Sequence, residues 1–222
     1  HHIEDFGALA KRRPLSRRKV LIPAGYPKLD LAIEWAQGNK GLKSNVAPTV
    51  VYAPTHVYAV NENLASLRNH GLAIIRRLID GGYRVIFRPH PVSFRDQDKK
   101  LIDDIVSEFS GNQRFTLDRS KEYKGSYSNA DIMITDLSGT GFTFSLSFCK
   151  PAIFFLPNVE AETGMRGIQF GDREKIGAVA RSLDELMQKV AQLNQVDMSE
   201  QILRYRNQSY FNTGNSMAYI AE

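Results

Sequence analysis

The feature that most constrains the fold is an alternation of short apolar runs with longer amphipathic stretches along this 222-residue chain. The runs, such as Thr49-Val-Val-Tyr-Ala53 and Ala152-Ile-Phe-Phe-Leu156, are rich in β-branched and aromatic residues, which favour buried strands. The predicted strands cover residues 19–24, 49–53, 83–87, 114–117, 131–135, 152–156 and 178–180. Strands that alternate with helices form βαβ units around a parallel sheet. The sequence therefore predicts one α/β domain with a Rossmann-like parallel sheet and helices on both faces.

The stretches between the runs carry apolar residues at helical spacing, as Leu67, Ile74 and Leu78 do on one face of such a stretch. Ser182 and Glu185 form a capping-box pattern, which predicts where a later helix begins. The predicted helices cover residues 29–35, 61–79, 101–109, 123–129, 139–148, 183–193 and 199–210.

Composition sets the class of protein. Hydrophobic residues make up 42% of the chain and charged residues 24%, which is ordinary for a soluble globular domain with a core of normal size. No apolar run approaches the roughly 20 residues that a membrane span needs. The single cysteine, Cys149, excludes an internal disulfide and fits a reducing, cytoplasmic setting. Its apolar neighbours predict a buried side chain.

Much of the net charge of +5 lies in a basic leader at residues 1–18, which contains Arg12, Arg13, Arg17 and Arg18. His1-His2 is typical of a purification-tag remnant, so we expect a fragment of a longer protein whose folded domain covers 19–222. The leader is either a solvated linker or a contact with an anionic membrane surface or a polyanionic substrate. Nucleic acid is not expected as a partner, because no zinc-finger or aromatic-basic RNA pattern accompanies the charge.

In open α/β sheets the ligand lies beyond the carboxyl ends of the strands, so functional residues are expected in the loops that follow the strands. Arg88-Pro89-His90-Pro91 directly follows the predicted strand 83–87. The two prolines restrict the backbone on both sides of His90. Arg88 offers a planar fork of donors for phosphate, and His90 can donate to a phosphate oxygen or carry a proton near neutral pH. The alternative is a capping histidine beside a structural arginine.

A second loop, Thr135–Gly141, leads from a predicted strand into a predicted helix. Ser138, Gly139 and Thr140 offer backbone N–H groups and hydroxyls to an anion, and the start of the helix adds positive potential. A plain helix cap is the alternative. Beside the loop that carries His90, the pattern favours a diphosphate site. Asp136 faces an anion poorly and is expected to brace the loop or to orient a cation.

A third loop places Thr55 and His56 after the predicted strand 49–53, where both could line the same cleft. His70 falls within a helical pattern and is expected to be solvated. No cluster of histidine and carboxylate residues has metal-ligand spacing, so the sequence predicts neither a metal site nor a cofactor.

Several motifs around these loops occur in an order found in one family. They are Gly25-Tyr-Pro-Lys-Leu-Asp30, Tyr52-Ala-Pro-Thr55, Arg88-Pro-His-Pro91, Thr135-Asp-Leu-Ser-Gly139, Lys150-Pro-Ala-Ile-Phe-Phe155 and Asn212-Thr-Gly-Asn-Ser216. With them the chain resembles the CDP-glycerol glycerophosphotransferases, the teichoic-acid primases and polymerases of GT-B architecture. The resemblance implies a membrane-associated two-domain enzyme on the inner face of the cell membrane, of which residues 19–222 are the C-terminal, nucleotide-donor-binding half.

The resemblance also implies that His90, Ser138, Gly139 and Thr140 approach the donor pyrophosphate, with His90 as the catalytic residue. The family usually has Asp-Tyr-Ser-Ser where this chain has Asp136-Leu-Ser-Gly139. Because of this difference, CDP-glycerol, CDP-ribitol and a nucleotide sugar all stay open as donors.

The leading hypothesis is a transferase that moves a phosphopolyol from a CDP-activated donor to a teichoic acid or capsule polymer. One alternative is a nucleotide-sugar glycosyltransferase domain of capsule synthesis, and another is a nucleotide-binding module without catalysis. A nucleotide-sugar epimerase of the same fold would need catalytic carboxylates that the sequence does not place.

Overall fold

The computed structural model describes residues 22–39, 47–56, 65–95, 97–158 and 171–221. Its centre is a six-stranded sheet of order β3-β2-β1-β4-β5-β6, in which every neighbouring pair is parallel. The strands are β1 Thr49–Ala53, β2 Arg84–Phe87, β3 Phe115–Leu117, β4 Ile132–Thr135, β5 Ala152–Phe155 and β6 Gly177–Ala180. The strand order reverses between β1 and β4. The predicted Rossmann-like parallel sheet is thus confirmed.

Helices connect the strands as the sequence predicts, but the predicted helix 61–79 begins later, at Leu67, and its residues 61–64 lie outside the described residues. The helices are α1 Pro27–Gly38, α2 Leu67–Asp80, α3 Lys99–Glu108, α4 Lys124–Asn129, α5 Gly139–Phe148, α6 Leu183–Gln195, α7 Ser199–Ser209 and α8 Ser216–Ala221. Short 3₁₀ turns occur at Pro91–Phe94 and Arg173–Lys175. The capping box is present before α6, where Ser182 Oγ accepts from Glu185 N at 3.2 Å and Glu185 Oε2 accepts from Arg181 N at 2.8 Å.

The core lies around the three central strands β1, β4 and β5, in which every residue is buried. Strands buried on both faces need helices on both sides of the sheet, which explains why these segments are continuously apolar. Tyr52, Phe87, Phe144 and Phe154 are among the largest fully buried side chains of this core. No helix within the described ranges is long and apolar enough to cross a membrane.

Four expectations need correction or fall outside the structure. Residues 22–24 form no strand, and the rest of the predicted strand 19–24 lies outside the described residues, as does the leader. Cys149 is half-buried and ends α5 in the left-handed region at φ 53°, where its N–H bonds Ser145 O. His70 is only partly solvated, since its ring packs edge-on against Phe155 at 5.1 Å between centroids. Burial lowers the pKa of His70.

Candidate functional site

The three predicted loops meet at the carboxyl edge of the sheet. The loop with Thr55 and His56 follows β1, the loop with His90 follows β2, and the loop with Ser138 follows β4. Because β1 lies between β2 and β4, these loops are neighbours, and the reversal of strand order falls between two of them. Such a reversal opens the crevice in which open α/β sheets bind ligands.

His90 and His56 form a pair of imidazole rings at this edge, with centroids 4.3 Å apart and planes tilted by 40°. His56 is partly buried, and its Nδ1 is buried without a hydrogen-bond partner among the described residues. Burial, and then the neighbouring His56, lower the pKa of His90. Because burial and the neighbouring His56 disfavour the charged form of His90, an anion that binds here would favour proton uptake by His90.

A hydrogen bond from the backbone fixes which nitrogen of His90 carries the hydrogen of the neutral ring. His90 is extended at φ −58° and ψ 139°, and Pro91 begins the 3₁₀ turn that follows. Within that turn Val92 N donates to His90 Nδ1 at 3.2 Å. In the neutral ring Nδ1 is therefore the acceptor and Nε2 carries the hydrogen. His90 can thus donate from Nε2 to an oxygen of a phosphate.

The start of α5 forms the second wall of the site. Ser138 is the N-cap, and its Oγ accepts from Thr140 N at 3.1 Å. Gly141 is needed for packing, since a Cβ there would lie 2.7 Å from Phe154 Cζ and 3.2 Å from Thr135 Cγ2. The helix thus begins close against the sheet edge, with Gly139 and Thr140 in its first turn. This placement fits the predicted anion site.

Thr135 and Asp136 do not face the cleft, because both side chains are fully buried. Thr135 Oγ1 donates to Ala53 O at 2.8 Å. Asp136 Oδ2 accepts from Thr55 N at 2.9 Å, and the carboxylate also bonds Ser66. The donor-contact assignment of these two residues is therefore corrected. Asp136 instead braces the loop, which was its expected alternative role.

Arg88 is likewise held within the protein. Its Nη1 pairs with Asp118 Oδ2, and Nη1 and Nη2 donate to Oγ and O of Ser120 at 3.1 Å each. The arginine side chain is only 11% exposed. Although burial opposes it, hydrogen bonds from Ser120, Ser126 and Arg88 lower the pKa of Asp118. The guanidinium is thus committed to the loop after β3, and the geometry favours the structural alternative for Arg88 over contact with a diphosphate.

Three residues that the sequence did not single out also lie at the site. Tyr26, Lys28 and Tyr210 line a cavity of about 420 Å³ that reaches Ser138, Gly139 and Thr140 at the start of α5. Tyr26 and Lys28 belong to the motif Gly25–Asp30, which carried the family resemblance but no role. The motif Gly25–Asp30 was therefore the sequence signal that could have pointed to Tyr26 and Lys28. Among the described residues no three histidine, cysteine or carboxylate groups come together as a metal site.

The sequence matches one family model over nearly its whole length. The model of the CDP-glycerol:poly(glycerophosphate) glycerophosphotransferases covers residues 7–222. No curated protein matches the chain.

Solved structures with the same fold come from different enzyme classes. The wall teichoic acid polymerase TagF is 19% identical over 88% of this chain and 48% of its own, with a TM-score of 0.56. A TagF variant soaked with CDPG gives 19% identity, a TM-score of 0.58, and coverage of 90% and 50%. The UDP-GlcNAc 2-epimerase of Methanocaldococcus jannaschii is 16% identical over 95% of this chain and 56% of its own, with a TM-score of 0.56. The chain spans about half the length of TagF.

Proposed function

Because this chain belongs to the CDP-glycerol:poly(glycerophosphate) glycerophosphotransferase family, we propose that it holds the donor in an enzyme that transfers glycerol phosphate. The donor is CDP-glycerol, and the acceptor is a hydroxyl of a cell-surface polymer such as teichoic acid. The TagF neighbour soaked with CDPG supports a CDP-activated donor for this fold. The UDP-GlcNAc 2-epimerase neighbour has the same fold, so the choice of function depends on the family and on the site.

The observation that carries the proposal is the His56–His90 pair beside the start of α5, at the reversal of strand order. The Nε2–H of His90 and the first turn of α5, which lie at the same edge of the sheet, would both provide donors for a diphosphate. Such donors stabilise charge that develops on a leaving group without a metal ion. We assign the catalytic role at the diphosphate to His90, with Thr55, His56, Ser138, Gly139 and Thr140 around it.

In the proposed reaction an acceptor hydroxyl oxygen attacks the phosphorus that carries glycerol. A new P–O bond forms while the bond from this phosphorus to the bridging oxygen breaks. CMP leaves with the electron pair of the broken bond, and His90 Nε2–H donates to the leaving phosphate. The proton of the acceptor hydroxyl passes to a base, which we assign to the remainder of the parent protein.

The acceptor and the membrane contact are part of the same proposal. A teichoic acid chain is a polyanion, and the leader at residues 1–18 carries a run of arginines that suits a polyanion or an anionic lipid surface. We propose that the leader keeps the enzyme at the inner face of the cell membrane, where donor and acceptor meet.

The test is the release of CMP by the parent protein that contains this chain. The protein is given a glycerol-phosphate primer with CDP-glycerol, CDP-ribitol or a UDP-sugar. We expect CMP release and primer extension with CDP-glycerol. His90→Ala should lower the rate about 100-fold, as loss of a group that assists departure of CMP does. Transfer from a UDP-sugar alone would favour the glycosyltransferase alternative. Binding of CDP-glycerol without turnover would favour a non-catalytic module.

A further inference from the structure

Tyr127 is a buried side chain that reaches the start of α5 from the neighbouring helix α4. Only 5% of its surface is exposed, and its hydroxyl is hydrogen-bonded to the side chain of Thr140. Its ring packs edge-on against Phe144 and Phe148, with centroid distances of 5.6 and 6.1 Å. Packing on α5 therefore fixes the ring, and the hydroxyl is held at Thr140.

The Tyr127 hydroxyl keeps its hydrogen at neutral pH. Burial raises the pKa of Tyr127 to about 12, although Arg88 and the bond to Thr140 oppose this rise. Because both residues carry a hydroxyl hydrogen, either one can donate to the other. An ionised phosphate oxygen only accepts hydrogen bonds, so a bound anion needs the hydrogen of Thr140. The hydrogen of Tyr127 then goes to Thr140 Oγ1, and the anion thus determines the direction of the bond.

The helix α4 is also tied to the loop that carries His90. Ser126 Oγ donates to Asp118 Oδ2, and the same carboxylate pairs with Arg88, two positions before His90. The next residue of α4, Tyr127, reaches the start of α5. Both walls of the proposed donor site are therefore connected to one short helix.

We propose that Tyr127 is a positioning residue of the donor site, whose hydroxyl donates to Thr140 Oγ1 and turns the hydrogen of Thr140 towards the donor diphosphate. This deepens the proposed function and rests on it. Thr140 lines the cavity at the start of α5, whereas Tyr127 acts only through Thr140. A threonine hydroxyl otherwise rotates to suit its surroundings. A hydroxyl that is ordered before the donor binds stabilises charge on the diphosphate without reorganisation.

The test is a double-mutant cycle on the binding of CDP-glycerol to this chain, measured by calorimetry. Tyr127→Phe keeps the ring and its packing, and should weaken binding about 3- to 10-fold, the scale of one hydrogen bond. Thr140→Val should weaken binding about tenfold or more. With Thr140→Val in place, Tyr127→Phe should change the affinity by about twofold or less, because no hydroxyl is left to order. With Thr140→Ser in place, the loss caused by Tyr127→Phe should return.

Tyr205→Phe is the matched control. The Tyr205 hydroxyl donates to Asp172 Oδ2 at 2.8 Å, and the side chain is 6% exposed. Tyr205 does not line the cavity at the start of α5. The substitution thus removes the hydrogen bond of a buried tyrosine away from the donor site, and CDP-glycerol should bind this variant as it binds wild type.

The same cycle with inorganic pyrophosphate separates this proposal from the proposed function. If pyrophosphate shows the cycle but the parent protein releases no CMP from CDP-glycerol, the positioning role stands and the proposed function falls. The positioning role is overturned if wild type binds neither ligand, or if Tyr127→Phe binds both as wild type does. It is also overturned if Tyr127→Phe and Tyr205→Phe weaken binding equally, or if the losses caused by Tyr127→Phe and Thr140→Val multiply in the double variant.

Discussion

At the scale of single residues, the two central loops of the site are tied together by a carboxylate that solvent does not reach. Asp136, after β4, accepts from Thr55 N after β1 and bonds Ser66, whose hydroxyl lies 2.7 Å from Tyr52 Oη. Burial raises the pKa of Asp136 to about 7, although the hydrogen bonds oppose this rise. Its other oxygen, Oδ1, is buried without a hydrogen-bond partner among the described residues. The brace is thus most stable when Asp136 carries a proton.

The raised pKa of Asp136 makes the free energy of unfolding depend on pH. The unfolded carboxyl titrates near 3.8 and the folded one near 7, so the folded state binds more protons between these values. The free energy of unfolding should therefore fall as the pH rises through this window and level off above it. Asp136→Asn has no proton to lose and can still accept from Thr55 N. Its Tm relative to wild type, measured by thermal unfolding, should rise from pH 5 to about pH 7 and level off above that.

The matched control is Asp131→Asn. Asp131 lies at the other end of the same strand pair, where its exposed carboxylate accepts from Thr49 N at 2.8 Å. Its Tm difference from wild type should not change between pH 5 and pH 8. If the Tm difference between Asp136→Asn and wild type is also independent of pH, Asp136 is not protonated in the folded state as argued.

At the scale of elements, α5 shows what the sequence can and cannot predict. Its bounds Gly139–Phe148 agree with the predicted 139–148, because Ser138 is a strong N-cap signal and the apolar run continues to Phe148. The six observed strands were predicted within two residues, since buried parallel strands are continuous apolar runs. The helix α8 was not predicted, because it has only six residues and little helical periodicity.

Side-chain partners were harder to predict than elements. The sequence predicted that the guanidinium of Arg88 binds a ligand. In the structure it instead bonds to Asp118 and Ser120, about thirty positions further along the chain. Tyr26 was missed for a related reason, since its turn is fixed by Ser216, 190 positions away. Motifs show which residues a loop contains, whereas the partners that hold them come from other loops. The loops with His56, His90 and Ser138 were placed correctly because parallel strands share one carboxyl edge.

The close packing of α5 on the sheet gives a test of this element. Gly141→Ala would place a Cβ against the fully buried ring of Phe154, and the surrounding core leaves little room for the ring to move. Overpacking of this kind costs about 1–3 kcal/mol. We expect a lower Tm and weaker binding of CDP-glycerol, because the first turn of α5 shifts.

Gly139→Ala serves as the control on the same helix. A Cβ at Gly139 meets nothing within 4 Å, and alanine is the better helix former. Its Tm should stay at the wild-type value or rise. Equal losses of stability for the two alanine variants, in thermal or urea unfolding, would contradict the packing argument.

At the scale of the whole molecule, this chain spans about half the length of TagF and belongs to the same kind of α/β architecture. The proposed donor site lies at the carboxyl edge of the sheet, where the strand order reverses. The basic leader at residues 1–18 lies outside the described residues and is separate in sequence from every residue of the site. Its role can therefore be tested without disturbing donor binding.

Reversal of Arg12, Arg13, Arg17 and Arg18 to glutamate should weaken sedimentation with vesicles that contain anionic lipid. Each basic residue near such a surface contributes about 1 kcal/mol, so four reversals should abolish most of the binding at 0.1 M salt. The Tm and the affinity for CDP-glycerol should stay unchanged. Neutral vesicles are the control. If the variant still binds anionic vesicles, the leader is a solvated linker and not a membrane contact.

The most direct measurement of the central claim is a calorimetric titration of CDP-glycerol into this chain in the presence of EDTA. The account predicts binding without a divalent metal, and a loss of roughly 10- to 150-fold for His90→Ala, as a charge-assisted hydrogen bond implies. His90→Gln should keep part of the affinity, because its amide can donate where Nε2 does. Val92→Ala, at a 41%-exposed position of the same turn, should bind like wild type. Binding that vanishes in EDTA and returns with magnesium, or equally small effects of His90→Ala and Val92→Ala, would contradict the account.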